Sequence, residues 1–412
     1  MVECILAKTL LVISGGEEAV PGINRAKEMG LFVIVSDRNP NAPGIQIADD
    51  YIIADTYNIQ DNIDLALAYN KNIRRIDGVI CIAADIPLTV ASVAAALGLP
   101  GIPISAAQLA SDKVIMKNRL GESGISIPWY QQIRSLNELE KIIQSRGYPL
   151  VLKPVDSRGA RGVFVLEEGL EIANLFDKSI GYSPSKTLIV EEYIEGPQAS
   201  TEGLIVDGEL YPIGFADRNY EYLEKFSPNI IENGGSAPTS LSRENQESME
   251  LLALKAGLSL GVRDGVIKGD IVLASDGPKV IEVATRLSGG WFSTDQIPLC
   301  VGVDLVGLAI KLALGENILP SELKRNYLRG VAIRYFFPKP GIVSSIEYDE
   351  NLINSDWIYK LHFFVKPGER ISEVTNHTDR AGLVITTGET REKAIERAEL
   401  IVNHVKFGYS KA

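Results

Sequence analysis

The sequence predicts a mixed α/β and α+β chain: a Rossmann-like domain at the N-terminus, two α+β lobes behind it, and a C-terminal α+β unit. Three observations carry that expectation. Apolar strands alternate with helical segments up to about residue 100, the pattern of a parallel sheet. From about Gly124 the alternation gives way to paired strands around glycine-bearing loops, and from Gly330 a last group of strands closes on a helix. With 412 residues, 45% apolar and 23% charged, the chain is long enough for several domains and a large core.

Residues 9–14 read as the first strand, Gly15-Gly16 as a turn and 19–29 as a helix. Strands at 32–36, 51–54 and 78–82 and helices around 61–70 and 88–97 continue the pattern. Strands at 149–153 and 162–166 with a helix near 171–177 make a small lobe. The next lobe draws on strands at 188–192, 201–206, 209–215, 270–274 and 279–284 and on helices at 244–260 and 304–314. A Pro340-Gly341 turn and a closing helix at 391–405 mark the last unit. The expected boundaries are 1–123 for the Rossmann-like domain, 124–186 for the small lobe, 187–329 for the core lobe and 330–412 for the C-terminal unit.

A net charge of −12, from 41 basic and 53 acidic residues, argues against a sequence-independent grip on nucleic acid. No apolar run reaches the roughly 18 residues a membrane span needs. Residues 1–14 carry Glu3 and Lys8 and read as a strand, not a signal peptide, so a soluble cytoplasmic protein is expected. Cys4, Cys81 and Cys300 lie too far apart for a disulfide framework or a zinc set. His362, His377 and His404 all fall late in the chain, which excludes histidine chemistry from the main body. The first turn reads Ser14-Gly15-Gly16-Glu17-Glu18-Ala19, not GxGxxG, and two acidic residues would face a pyrophosphate there. A nicotinamide-dependent oxidoreductase is thereby disfavoured.

The most telling pair is Asp270 and Glu282. Between them Ser275-Asp276-Gly277-Pro278 is a turn signal, and a hairpin folded about Asp276 sets Asp270 opposite Glu282. Like charges directly opposed destabilise a sheet, and a shared cation or one raised pKa resolves the conflict. Hard oxygen ligands suit Mg²⁺, which completes its shell with water and substrate phosphates. The other reading is a solvated hairpin with Lys268 and Lys279 as neighbours. Strand alternation puts Ala284 and Arg286 on the face of Glu282. There Arg286 could neutralise a phosphoryl group or a developing oxyanion, or simply cap the strand end. The run Arg286-Leu287-Ser288-Gly289-Gly290-Trp291 favours function, because Gly-Gly permits close backbone approach.

A second constellation starts at Lys153, at a strand end, and runs through a loop with Ser157, Arg158, Gly159, Arg161 and Gly162. Backbone N–H groups of such a loop can cover phosphates while Lys153 and Arg161 supply charge. A plain basic hairpin has the same spacing, and the Gly-Lys-Ser/Thr ending of a P-loop is missing. A third element, Glu191-Glu192-Tyr193-Ile194-Glu195-Gly196, is a strand end leading to a turn. It could present backbone groups to an adenine edge with Glu191 nearby, although acid-capped strand ends are common.

Taken in order, Ser111-Asp112-Lys113, the Lys153 loop, the 191–196 hinge, Asp270 and Ile281-Glu282-Val283-Ala284-Thr285-Arg286 resemble the ATP-grasp superfamily. These ligases activate a carboxylate with ATP as an acyl phosphate and pass it to a nucleophile. The resemblance runs from the first strand to about Gly315 and implies a two-lobed ATP-grasp fold with ATP between the lobes. It makes Lys113 and Lys153 the lysines on the phosphates and residues 157–162 the mobile loop over them. Glu191, Glu192, Tyr193 and Ile194 become the adenine hinge, with Gln198 toward the ribose. Asp270 and Glu282 become the ligands of Mg²⁺ or Mn²⁺, and Arg286 the arginine on the transferred phosphoryl group. Three positions depart from the pattern: Ala284 where asparagine is common, Gly196-Pro197-Gln198 in place of Gly-Pro-Glu, and Asp270 where glutamate is frequent.

Within the superfamily the sequence is most similar to the amino-acid ligases that make dipeptides and the carbamoyl-phosphate-synthase-like group around them. Glu202-Gly203, the 286–290 run, Ala381-Gly382-Leu383-Val384 and Gly388-Glu389-Thr390 carry that likeness. It implies an ATP- and Mg²⁺-dependent carboxylate–amine ligase on small molecules, with no nucleic-acid or membrane partner and with a homodimer as the family prior. The alternatives are a purine-pathway-type ligase acting on a phosphoribosyl amine or bicarbonate, and a non-catalytic ATP-binding protein. Glu232 and Asp295 are the candidate general bases. Arg334 is a candidate for a substrate carboxylate or for a strand-end salt bridge. Specificity is expected in residues 216–236 and 291–297.

Overall fold

A computed structural model of the chain describes residues 7–410. The N-terminal strands stand in the order Asp50–Ile53, Phe32–Asp37, Thr9–Ile13 and Gly78–Ile80, all parallel. Every residue of Thr9–Ile13 is buried, as a strand covered by helices on both faces must be. Leu10 and Val12 pack with Ile23 of helix Val20–Glu28, while Leu11 and Ile13 pack with Ala66 and Val93 of helices Ile59–Asn72 and Pro87–Leu97. The expected Rossmann-like alternation is realised. The part of the first-strand expectation on residues 1–6, and Cys4 with it, lies outside the described residues.

The small lobe is an antiparallel sheet in the order Tyr130–Ile133, Leu188–Glu192, Leu150–Pro154 and Phe164–Leu166. Helices Leu136–Arg146 and Ile172–Gly181 cover it, burying Leu139, Ile142, Leu175 and Phe176 against Leu152, Leu188 and Val190. The boundary expected after residue 186 placed Leu188–Glu192 in the core lobe, whereas it is the inner strand of the small lobe. A run of apolar residues marks a strand but does not say which sheet receives it.

An eight-stranded sheet forms the core. Its order is Gly277–Ala284, Gly265–Ala274, Gln198–Val206, Glu209–Arg218, Gly235–Ala237, Gly330–Tyr335, Gly382–Gly388 and Ile358–Phe363. The last three come from the expected C-terminal unit, so that unit extends the core sheet and brings its loops to the same end of the molecule. Helix Arg391–His404 backs these strands through Ala394, Ala398 and Ile401.

The hairpin register decides the site. Pairing runs from Ala274 opposite Gly277 to Ile271 opposite Val280, then shifts so that Asp270 meets Glu282. A two-residue turn alone would have set Ile281 opposite Asp270. The bulge at Ile281 inserts one residue and re-aims Glu282 onto the face of Asp270.

The segment after that strand is held from beneath by Glu202, which accepts from the Ser288 N–H at 2.9 Å and the Ser293 hydroxyl at 2.7 Å. Burial pushes the Glu202 carboxyl up to about 7 against the pull of these hydrogen bonds. The folded protein therefore keeps a proton that the unfolded chain loses above its ordinary value of 4.5. Stability falls as pH rises through that window. Glu202→Gln keeps a carbonyl acceptor and removes the titration, so from pH 5 to pH 8 the variant should gain on the wild type by up to about 3 kcal/mol in urea unfolding. An equal difference at both pH values would show that Glu202 is ionised throughout.

Candidate functional site

The small lobe, the core sheet and the N-terminal domain enclose a cavity of about 610 Å³. Of the residues given to the nucleotide, the metal and the phosphoryl group in the sequence, all but Gly162 line it: the lysines and loop, the hinge with Gln198, and Asp270, Glu282 and Arg286. Gly162 turns the loop instead. Its φ is +71°, and a side chain there would press on Tyr182, Pro154 and Ser179.

Lys113 opens helix Lys113–Glu122, whose first turn is capped by Asp112 accepting from Val114 and Ile115 N–H at 2.8 and 2.9 Å. The Lys113 ammonium donates to the Ser157 carbonyl at 3.0 Å and stands 3.4 Å from Glu282. One turn further, Lys117 is fully buried and 3.2 Å from Glu191. Lys153 lies 2.9 Å from the other oxygen of the same carboxylate. Burial opposes the charge on Glu191, but the two ammonium groups outweigh it and hold the carboxyl below its usual range. The same burial pulls Lys117 down to about 8. The Glu191 carboxylate is thus engaged by lysines, and two cations on one anion leave the cavity floor positive. Lys117 was missed in the sequence, although its spacing from Lys113 puts both on one helix face.

In the hinge, Glu192 accepts from the Trp129 N–H at 2.9 Å. Gly196 abuts the Leu273 carbonyl so closely that a Cβ would lie 2.1 Å from its oxygen, which fixes glycine there.

The opposed carboxylates are in place, and so are the lysine neighbours of the second reading. Asp270 and Glu282 are opposed, and Lys268 reaches Asp270, while Lys279 turns to Asp276 at 3.1 Å. Asp270 also takes Arg218 at 2.9 Å and the Ser200 hydroxyl at 3.2 Å. Against burial, Arg218 and Lys268 hold its carboxyl well below the usual range. Lys268 faces Ala284 across the ladder, so the short side chain leaves that face to the lysine. Among the described residues no group of three or more His, Cys, Asp or Glu side chains could hold a metal ion.

Arg286 stands 3.4 Å from one oxygen of Asp85, and Arg158 of the loop 3.1 Å from the other. The loop is met on its far side by the C-terminal unit, where the His377 N–H donates to the Gly159 carbonyl at 3.0 Å. Asp85, Glu18, His377 and Arg380 all line the cavity and none was singled out for it in the sequence. Glu18 accepts from the Gly290 N–H at 2.8 Å, and burial raises its carboxyl.

Three expectations are corrected. Histidine was excluded because of its place late in the chain, yet His377 enters the cavity and its Nε2 accepts from the Glu232 N–H at 3.3 Å. Burial and the nearby Arg380 and Arg218 keep it neutral. Asp295 is not a cavity residue, being buried against Lys360 at 2.7 Å. Arg334 lies between Ile333 and Tyr335, which face the cavity, so its side chain is on the opposite face, donating to Ser236 at 3.2 Å. Glu232 does line the cavity, with Arg218 donating to it at 3.0 Å.

Two family models match the chain: an ATP-grasp domain over residues 110–290 and the L-amino acid ligase C-terminal domain 2 over residues 334–410. Mouse carnosine synthase 1 (Mus musculus) is 24% identical over 352 residues, covering 79% of this chain and 42% of that protein. The chain therefore spans less than half of that relative. Among solved structures, an L-amino acid ligase from Bacillus licheniformis superposes with a TM-score of 0.83 at 19% identity, over 98% of this chain and 99% of the other. A phosphoribosylglycinamide synthetase from Anaerococcus prevotii gives 0.74 at 21%, over 98% and 100%. Identities this low carry the fold alone. Residues 110–290 thus form an ATP-grasp domain and residues 334–410 an L-amino acid ligase C-terminal domain.

Proposed function

We propose that the chain is an ATP- and Mg²⁺-dependent carboxylate–amine ligase that joins a small carboxylic acid, an amino acid, to an amine. One observation carries this: the lysine-lined floor, Arg286 and the opposed carboxylates Asp270 and Glu282 converge on a single cavity. Asp270 and Glu282 offer the hard oxygens Mg²⁺ prefers, and Mn²⁺ accepts the same ligands. Asp270 already carries Arg218 and Lys268 while Glu282 carries Lys113 alone, so Glu282 would be the chief protein ligand of the ion. The ion, when bound, neutralises the polyphosphate. A reaction that consumes ATP fits the cytoplasm.

Lys113 and Lys153 hold the polyphosphate, and the 157–162 loop covers it. A carboxylate oxygen of the first substrate attacks the γ-phosphorus, the bond to the bridging oxygen breaks, and ADP leaves. Arg286 neutralises the charge spread over the transferred group, and positioning supplies much of the remaining acceleration. The amine nitrogen then adds to the acyl carbon of the acyl phosphate, the C–O bond breaks, and phosphate leaves with an amide formed. The ammonium loses one proton to become nucleophilic and a second as the amide forms. Glu18 takes that role better than Glu232, because its carboxyl is raised by burial and Glu232 is tied to Arg218. A phosphoribosyl amine is disfavoured by the same side chain, since Glu17 and Glu18 replace the neutral turn that would cradle a phosphate.

Phosphate release from ATP should require Mg²⁺ and two amino acids together, with the condensed product appearing in the mass spectrum. Release with bicarbonate and a phosphoribosyl amine, or ATP binding with no release on any pair, would replace this reading. Arg286→Met should lower kcat by about 100- to 1000-fold while ATP affinity changes little. Lys153→Met should instead weaken ATP binding, measured by titration with a non-hydrolysable analogue. Equal loss of ATP binding in both variants would place Arg286 on the nucleotide rather than on the transferred group.

A further inference from the structure

Among the described residues, the buried cations that line the cavity, and Lys117 beneath its floor, each have a carboxylate, with one exception. Lys113 pairs with Glu282, Lys117 and Lys153 with Glu191, Lys268 and Arg218 with Asp270, and Arg286 with Asp85. Arg380 lines the cavity at 9% exposure, yet among the described residues no carboxylate stands within salt-bridge distance of it. Its Nε has no hydrogen-bond partner at all. The guanidinium is nevertheless fixed. Nη2 donates to the Glu232 backbone carbonyl, and the group sits 3.8 Å over the Tyr335 ring. Both partners are neutral. A buried charge held only by neutral groups is costly until an anion arrives.

That anion does not belong to the nucleotide. Arg380 sits over strand Gly330–Tyr335, four strands along the sheet from Gly265–Ala274, which carries Asp270. Each spacing is roughly 4.8 Å. Of the lysines that the proposed reaction gives to the polyphosphate, Lys153 lies in the small-lobe strand Leu150–Pro154 and Lys113 donates to the Ser157 carbonyl of the loop that follows it. Near Arg380 the cavity carries the opposite sign as well. Glu18 is within charge range of both Arg380 and Arg286, and Glu232 supplies the carbonyl that holds Arg380. A ligand there meets a cation at one end and a carboxylate on the way to Arg286. This is the polarity of an α-amino acid presenting its amine to the reacting carbon. A phosphomonoester, with twice the charge, is opposed by Glu18, the Glu232 carboxylate being taken by Arg218.

We infer that Arg380 binds the non-reacting carboxylate of the amine-donating substrate and is the residue that tells a free α-amino acid from an acceptor without that group. This rests on the ligase reading above. The C-terminal unit then contributes a specificity residue to a reaction whose phosphate chemistry lies in the other lobes.

The test offers each acceptor amino acid as the free acid and as its carboxamide, with ATP, Mg²⁺ and a fixed donor. Wild-type kcat/KM should fall roughly 100-fold for the carboxamides, mostly through KM. Arg380→Met should lose that factor for the acids while the carboxamides change little, and Arg380→Lys should restore part of it. Equal use of acids and carboxamides by the wild type, or equal loss of both in Arg380→Met, would overturn the inference, as would a phosphoribosyl amine as substrate. Calorimetric titration of the twenty amino acids and their carboxamides into the protein with a non-hydrolysable ATP analogue reads the same contact without turnover. Free-acid binding lost in Arg380→Met sustains the inference even if no condensation occurs. Absence of free-acid binding to the wild type, or binding unchanged in the variant, ends it.

Discussion

The buried cluster of Lys117, Glu191 and Lys153 is the constraint on which the rest of the cavity depends. It ties three separate segments together: the helix that opens at Lys113, the inner strand of the small lobe, and the strand beside it. None of the three side chains tolerates its position alone. Glu191 without the lysines would be a buried unpaired carboxylate, and Lys117 without Glu191 a buried unpaired ammonium, each a severe cost. Together they fix where Lys113 and Lys153 point, and they leave one positive charge in excess under the cavity. The cluster thereby ties the small lobe to a helix whose Met116 and Leu120 are buried with residues of the core sheet.

Asp85 does at the mouth what Glu191 does at the floor. Its two oxygens meet Arg286 from the core sheet and Arg158 from the loop, and the loop's other side is tied to the C-terminal unit through Gly159 and His377. Three units thus converge on one segment. In the proposed reaction a loop that opened would break the Arg158 pair and leave Asp85 to Arg286 alone, so the charge presented to the transferred phosphoryl group would depend on whether the loop is shut. Glu202 and Glu18 hold the 288–290 backbone beside that arginine from two directions.

Much of this was legible in the sequence where the physics is local. The turn at Ser275-Asp276 and strand alternation place Asp270, Glu282, Ala284 and Arg286 together, although the alignment is right only because of a bulge at Ile281 that no residue type announces. The Asp112 cap and Lys113 follow from a capping residue before a helix, and Lys117 was readable one turn on. Strand Leu188–Glu192 was legible as a strand and illegible as to its sheet, because burial on both faces erases any preference between partners. Glu18, Asp85, His377 and Arg380 carry no motif. They reach the cavity only through tertiary packing of units distant in sequence, and a single chain's pattern holds no signal of that. Asp295 and Arg334 erred for the complementary reason: a charged residue beside a motif need not share its face.

Charge bookkeeping across the cavity explains why an acidic protein of net charge −12 can hold a polyanion. From Lys268 through Asp270 and Arg218 to Glu232 the charges alternate along the sheet and cancel in pairs. Around the cavity, the exposed Arg161 of the loop aside, the described residues leave positive charge uncancelled at three places: the Lys117–Glu191–Lys153 floor, the Arg286–Asp85–Arg158 mouth, and Arg380. These match in order the three anionic groups of the proposed reaction, namely the polyphosphate, the phosphoryl group in transfer, and a spectator carboxylate. Low local dielectric makes each excess charge count for far more than any surface charge, which salt screens. In the proposed reaction the anions are therefore placed by a few uncompensated cations of the cavity and not by the sign of the whole chain.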